Sequence, residues 1–105
     1  MGFKNTTEIA VDELKGTDVY YTIRGTFRVD KRTVTVDELP VAQYFTVYNR
    51  FVYANLARYQ AGSSYNHVDK NVELILTSLQ YNGDIPTVIY NSWKSEFNAL
   101  NITDC

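Results

Sequence analysis

The chain holds one cysteine and one histidine in 105 residues. A structural zinc needs about four Cys, His or carboxylate ligands. With only Cys105 and His67 to offer, no metal site is expected. A single thiol builds no internal disulfide, which points to a reducing compartment, the cytoplasm (the host cytoplasm if the source is viral). The five glycines lie apart from one another, so there is no Gly-rich loop to cradle a phosphate. No apolar run reaches the roughly 18 residues of a membrane helix, and no membrane partner is expected. The opening Met1-Gly2-Phe3-Lys4-Asn5 does not lead into an apolar signal segment. A basic surplus is also missing: the net charge is −2 and the pI about 5.2. Proteins that grip a phosphate backbone usually carry one.

Catalytic signatures are equally sparse. A Ser-His-Asp triad would have to use His67, and its neighbours Ser63, Ser64 and Asp69 form no signature. Asp12-Glu13 and Asp37-Glu38 sit at expected helix starts, where the helix dipole favours carboxylates without any chemistry. No catalytic residue and no cofactor are assigned, and the chain reads as non-enzymatic.

What is present is an ordinary globular balance, 45% hydrophobic and 21% charged. The length suits one domain with one core. Nine tyrosines and frequent asparagine stand out. Tyrosine serves half-buried surfaces and interfaces. The same composition also follows from an AT-rich genome such as many phages carry.

Residues 1–18 admit two readings, a short helix from Thr7 to Lys15 ended by Gly16, or a strand through Ile9 and Val11. Residues 19–36 read as a β-hairpin. Val19, Tyr21, Ile23, Gly25, Phe27 and Val29 alternate with polar neighbours, Asp30-Lys31-Arg32 form the turn, and Thr33-Val34-Thr35-Val36 returns. A long helix is expected over 38–61, capped by Asp37 and ended by Gly62. Val41, Tyr44, Phe45, Tyr48, Val52, Leu56 and Tyr59 form its stripe at three- and four-residue spacing. Asn66 caps a second helix over 67–81. Asp84 caps a third over 85–100, with Pro86 in its first turn. The expected fold is α+β: an N-terminal antiparallel hairpin packed on three helices, the first longest. Hairpin-then-helices at this length looks like the small tail-assembly chaperones of tailed phages, a likeness of architecture with no motif behind it.

Two surfaces carry functional expectations. The first is the far side of the long helix, with Val47, Arg50, Tyr53 and Arg58. From Leu39 to Val68 there is no acidic residue, and Tyr and Arg are enriched at binding hot spots. This favours a protein-binding module of viral, phage or mobile-element type, acting on a host factor, an assembly partner or a second copy. The second surface is the hairpin's polar face, with Tyr20, Arg24, Arg28, Lys31 and Arg32. Aromatics beside arginine on a sheet offer a platform for single-stranded nucleic acid.

Overall fold

Strand formers dominate the middle of the chain, and the structure is built on them. The computed structural model describes the backbone of residues 2–6, 9–11, 14–16 and 18–105, with side chains for 2–6 and 18–105. The strands are β1 (Phe3–Asn5), β2 (Ile9–Val11), β3 (Leu14–Gly16), β4 (Val19–Thr22), β5 (Phe27–Val36) and β6 (Leu39–Tyr53). A short helix α1 (Leu56–Gln60) precedes β7 (His67–Leu76). Helices α2 (Ser78–Tyr81) and α3 (Ile85–Lys94) follow, then a 3-10 turn at Ala99–Asn101 and β8 (Ile102–Asp104).

This corrects the expected hairpin on three helices. The segment expected as the longest helix is a fifteen-residue strand, β6, at the centre of a six-stranded antiparallel sheet. β5 and β4 pair along one edge of β6, and β7 pairs along the other. β4 continues to β1, and β1 to β8. β2 and β3 form a separate antiparallel pair, so the helical reading of 7–15 gives way to the extended one; Asp12 and Glu13 lie outside the described residues. The likeness to tail-assembly chaperones rested on the helical arrangement and lapses with it.

The physical reason lies in two-sided burial. Phe45, Thr46, Val47 and Tyr48 are consecutive and all buried. A strand covered on both faces loses its period-two pattern and mimics a helix buried all round. β-branched and aromatic side chains then decide for the strand. The second expected helix meets the same fate. Val72, Leu74 and Leu76 of β7 pack against the core, and only the capped turn Thr77–Tyr81 is helical. Asn66 caps nothing; its side chain accepts from the Ala54 amide.

The hairpin boundaries shift as well. The expected turn at Asp30-Lys31-Arg32 lies inside β5. The strand expected over 19–29 breaks after Thr22, where Arg24 and Gly25 both adopt positive φ. Glycine enters that region without strain, arginine does not. The bend is closed by the Thr26 amide donating to the Ile23 carbonyl at 3.0 Å, and by the Ile23 amide donating to the Tyr90 hydroxyl at 3.0 Å.

α3 is the longest helix among the described residues. Asp84 caps it by accepting from the Thr87 amide, and Pro86 sits in the first turn, where no intrahelical bond is lost. It ends at Lys94, six residues short of the expected 100. Its inner face places Ile85, Ile89, Tyr90 and Trp93 on the sheet. Phe3 is fully buried at the centre, stacked on Tyr21 at 4.9 Å and edge-on to Trp93 at 5.3 Å. The opposite face of β4 and β6 is covered by α1, whose Tyr59 ring meets Tyr20 and Tyr53 at 5.1 Å each.

Burial pushes the Tyr20 and Tyr21 hydroxyls up to about 12 from an ordinary 10.0. Burial raises Tyr90 too. Each fold-raised group favours the folded state fully below pH 10, and Tyr20 and Tyr21 lose that contribution as the pH climbs toward 12. On alkaline titration Tyr20 and Tyr21 are expected to ionise only as the sheet's circular dichroism collapses. Tyrosinate absorbance completing near pH 10 with the sheet intact would contradict this packing.

Candidate functional site

β5 and β6 pair without interruption from Phe27↔Tyr48 to Val36↔Leu39. β7 joins β6 only from Tyr44 to Val52. Beyond Tyr44 the hairpin continues alone, so residues 32–43 form a two-stranded arm. The molecule is correspondingly long, 49 × 28 × 24 Å. Its radius of gyration is 15.8 Å, against about 13 Å for a compact domain of this length.

Cross-strand partners share a face of the sheet, as do residues two apart. The pairs Val34↔Val41 and Val36↔Leu39 therefore line one face of the arm, and Thr33↔Ala42 and Thr35↔Pro40 the other. The first face is continuously apolar at the tip, yet Val36, Leu39 and Val41 are 52%, 65% and 44% exposed. Single exposed apolar residues are ordinary, but a contiguous face of them marks an interaction surface.

The root of the arm is fastened by Arg32. Its Nε donates to Gln43 Oε1 at 2.8 Å, its terminal nitrogens bridge to Glu73 on β7, and its guanidinium lies 4.4 Å from the Phe45 ring centre. One side chain thus ties β5, β6 and β7 together where the third strand ends. The hydrogen bond from Arg32 holds the Glu73 carboxyl below its ordinary value.

At the tip, Asp37 and Glu38 have φ of 50° and 65°. Two consecutive left-handed residues make the mirror-image turn that matches strand twist in a two-residue hairpin, a turn that normally takes Asn-Gly. Asp37, expected as a helix cap, is instead the first residue of this turn. Two carboxylate residues hold it despite a backbone cost of about 1–2 kcal/mol for a side chain in that region.

The residues expected to form a protein-binding patch do not share a surface. Val47 and Tyr53 are inside, at 8% and 3% exposure. Arg50 is pinned by Glu96 at 2.7 Å and by the Tyr48 hydroxyl at 3.2 Å, with Trp93 beneath it. Arg58 is exposed on α1. Aromatic and Arg-rich character was real, but it belongs to the packing of β6 against α1 and α3. Asn55, near the expected helical stripe, caps α1 by accepting from the Arg58 amide at 2.9 Å.

The basic set is likewise dispersed. Tyr20 is buried under Tyr59. Arg24 sits on the bend, over the Phe51 ring at 4.8 Å. Arg28 and Arg32 face one way beside Asp30 and Glu73, and Lys31, paired with Tyr44, faces the other. They offer no single basic platform with an exposed ring. His67 opens β7 and contacts Asp69 Oδ1 at 2.9 Å.

A concavity of about 530 Å³ lies between the bend and the loop after α1, lined by Arg24, Tyr53, Tyr59, Gly62, Ser63, Ser64 and Tyr65. Its polar groups are hydroxyls and one guanidinium. Among the described residues no group of three or more His, Cys, Asp or Glu could hold a metal ion. No helix among them is long and apolar enough to cross a membrane.

Comparison with family models, with curated proteins and with solved structures gives no match.

Proposed function

We propose that this chain is a non-enzymatic protein-binding module whose contact element is the β5–β6 arm. The observation that carries this is the apolar face of Val34, Val36, Leu39 and Val41 on a two-stranded projection. A lone hairpin is marginal in water and gains by burial against something else. Arg32 supports the reading by holding the root in place, which lowers the ordering cost of docking. The sequence expectation of a protein partner is kept, but its contact residues move from β6 and α1 to the arm.

A photo-crosslinking residue at position 39, compared with one at the exposed Lys70, tests this in the cell that makes the protein. Adducts are expected at position 39 and not at 70. Adding Val36→Asp should abolish them while changing stability by no more than about 0.5 kcal/mol, as for other exposed sites. Equal adducts at both positions, or adducts indifferent to Val36→Asp, would remove the arm as the contact element.

A further inference from the structure

We infer that the concavity between the bend and the loop after α1 is a binding site for a nucleoside monophosphate, with the phosphate on Arg24 and the base among the tyrosines. The site shares no residue with the arm and stands independently of it. Its volume of about 530 Å³ lies within the roughly 300–1,000 Å³ of small-molecule sites.

The charge of the site is one-sided. Arg28, Arg32 and Arg50 each pair with a carboxylate, Asp30, Glu73 and Glu96 respectively. Among the described residues no acid pairs with Arg24, and Arg24 is the only charged group of the lining. The opposite wall comes from the stretch between Leu39 and Val68, which holds no acidic residue. A guanidinium left uncompensated beside neutral hydroxyls suits a phosphate, which it can take by paired hydrogen bonds. A nucleic-acid strand needs a track of cations, which the dispersed basic residues do not form. A single phosphate needs only one.

The rest of the lining suits a base and a sugar. The Arg24 guanidinium lies 4.8 Å from the Phe51 ring centre, and Phe51 meets the half-exposed Tyr65 ring edge-on at 5.3 Å. The cation and an available ring are thus joined through one side chain. Tyr53 and Tyr59 add further aromatic wall. Aromatic rings stack on bases of any identity. Ser63, Ser64 and the tyrosine hydroxyls both donate and accept, as ribose and base edges require.

Both walls are fixed before a ligand arrives. At the bend, the Arg24 amide donates to Thr22 Oγ1 at 3.0 Å and the Thr26 hydroxyl donates to the Ile23 carbonyl at 2.8 Å. In the loop, the Gly62 amide donates to the Tyr59 carbonyl and the Ser63 amide to the Arg58 carbonyl, each at 3.1 Å. The Asn66 amide closes the other end on the Val52 carbonyl at 2.8 Å. Ser63, Ser64 and Tyr65 are therefore held from both sides, and little ordering is left to oppose binding. Arg24 keeps a φ of 56° that glycine would adopt freely. A phosphate contact gives its side chain a use at that strained position.

The test is an amide chemical-shift titration by NMR with AMP, GMP, CMP and UMP, each alone. At least one should give saturable shifts confined to residues 23–26 and 59–66, with a Kd on the order of 0.1–1 mM. The matching nucleoside and inorganic phosphate should each bind at least about tenfold more weakly. Arg24→Gly suits the backbone and leaves the fold intact, yet should weaken the nucleotide at least about tenfold. Tyr65→Ala, at an exposed ring, should weaken it about fivefold. Val36→Asp on the arm should bind as wild type. No saturable shift with any nucleotide up to about 10 mM, well past the weak end of specific association, overturns the proposal. So does saturation that Arg24→Gly leaves unchanged, or inorganic phosphate binding as tightly as the nucleotide. Failure of the position-39 crosslinks with nucleotide binding intact would overturn the arm reading alone.

Discussion

Trp93→Ala is expected to destabilise the fold by about 3–5 kcal/mol, the usual cost of emptying a buried tryptophan site. The indole touches three rings of the core, Phe3, Tyr21 and Tyr90, and supports the Arg50 guanidinium 5.2 Å from its ring centre. Its loss leaves a cavity where α3 meets β1 and β4. It also loosens the Arg50–Glu96 pair that fastens β6 to the end of α3. A domain of this size has only about 5–15 kcal/mol in total, so much of its stability goes. The melting midpoint should fall by about 15–25 °C, read by circular dichroism because the chain's only tryptophan is gone. Trp93→Phe should recover a good part of the loss. A midpoint within about 5 °C of wild type for the alanine variant would mean that α3 is not seated on the sheet as described.

Gly2→Ala should be nearly as damaging, though it adds one methyl group. A Cβ at position 2 would collide with the Tyr20 ring and come within 2.5 Å of the Tyr21 backbone carbonyl. A side chain could swing away, but a carbonyl in the β4 ladder cannot. β1 would have to lift off β4, drawing Phe3 out of the core. The expected loss is about 3 kcal/mol, the upper end for overpacking. Urea midpoints measure it, and hydrogen exchange should localise the lost protection to β1, β4 and β8. An unchanged midpoint would show that β1 does not approach β4 this closely.

Local chemistry was legible where one residue type settles the geometry. Asp84 followed by Pro86 announces the start of α3 because a carboxylate cap and a missing amide both fit only there. The alternation of Val19 to Thr22 announces β4. The tyrosines and arginines of 44–59 were recognised as unusual, but their partners come from α1 and α3, which no local pattern reveals. β6 was hidden because burial on both faces erases alternation. The true hairpin turn was hidden because Asp37-Glu38 is a poor turn sequence and a good helix start. Asp30-Lys31-Arg32 read as a turn because charge usually marks one, yet all three are exposed on the edge strand β5, so a strand there tolerates them. Pro40 was the available signal. Near the start of a strand and at a sheet margin it is permitted, and it pairs with Thr35 beside the turn.

Phe3 lies opposite Asp104 across the β1–β8 pair, and the Cys105 amide donates to the Gly2 carbonyl at 3.1 Å. The two segments that complete the core are thus separated by nearly the whole sequence given. Contacts of such separation form late, since the chain must close a long loop before they repay it. During synthesis Phe3 can meet β4 early, but it waits for its second strand neighbour until residue 104 has cleared the ribosome. The helix α3 and the β5–β6 hairpin are local and can form in the meantime. Maturation of the fold is thereby timed by translation: a nascent chain stalled before β8 carries a finished arm on an unfinished core.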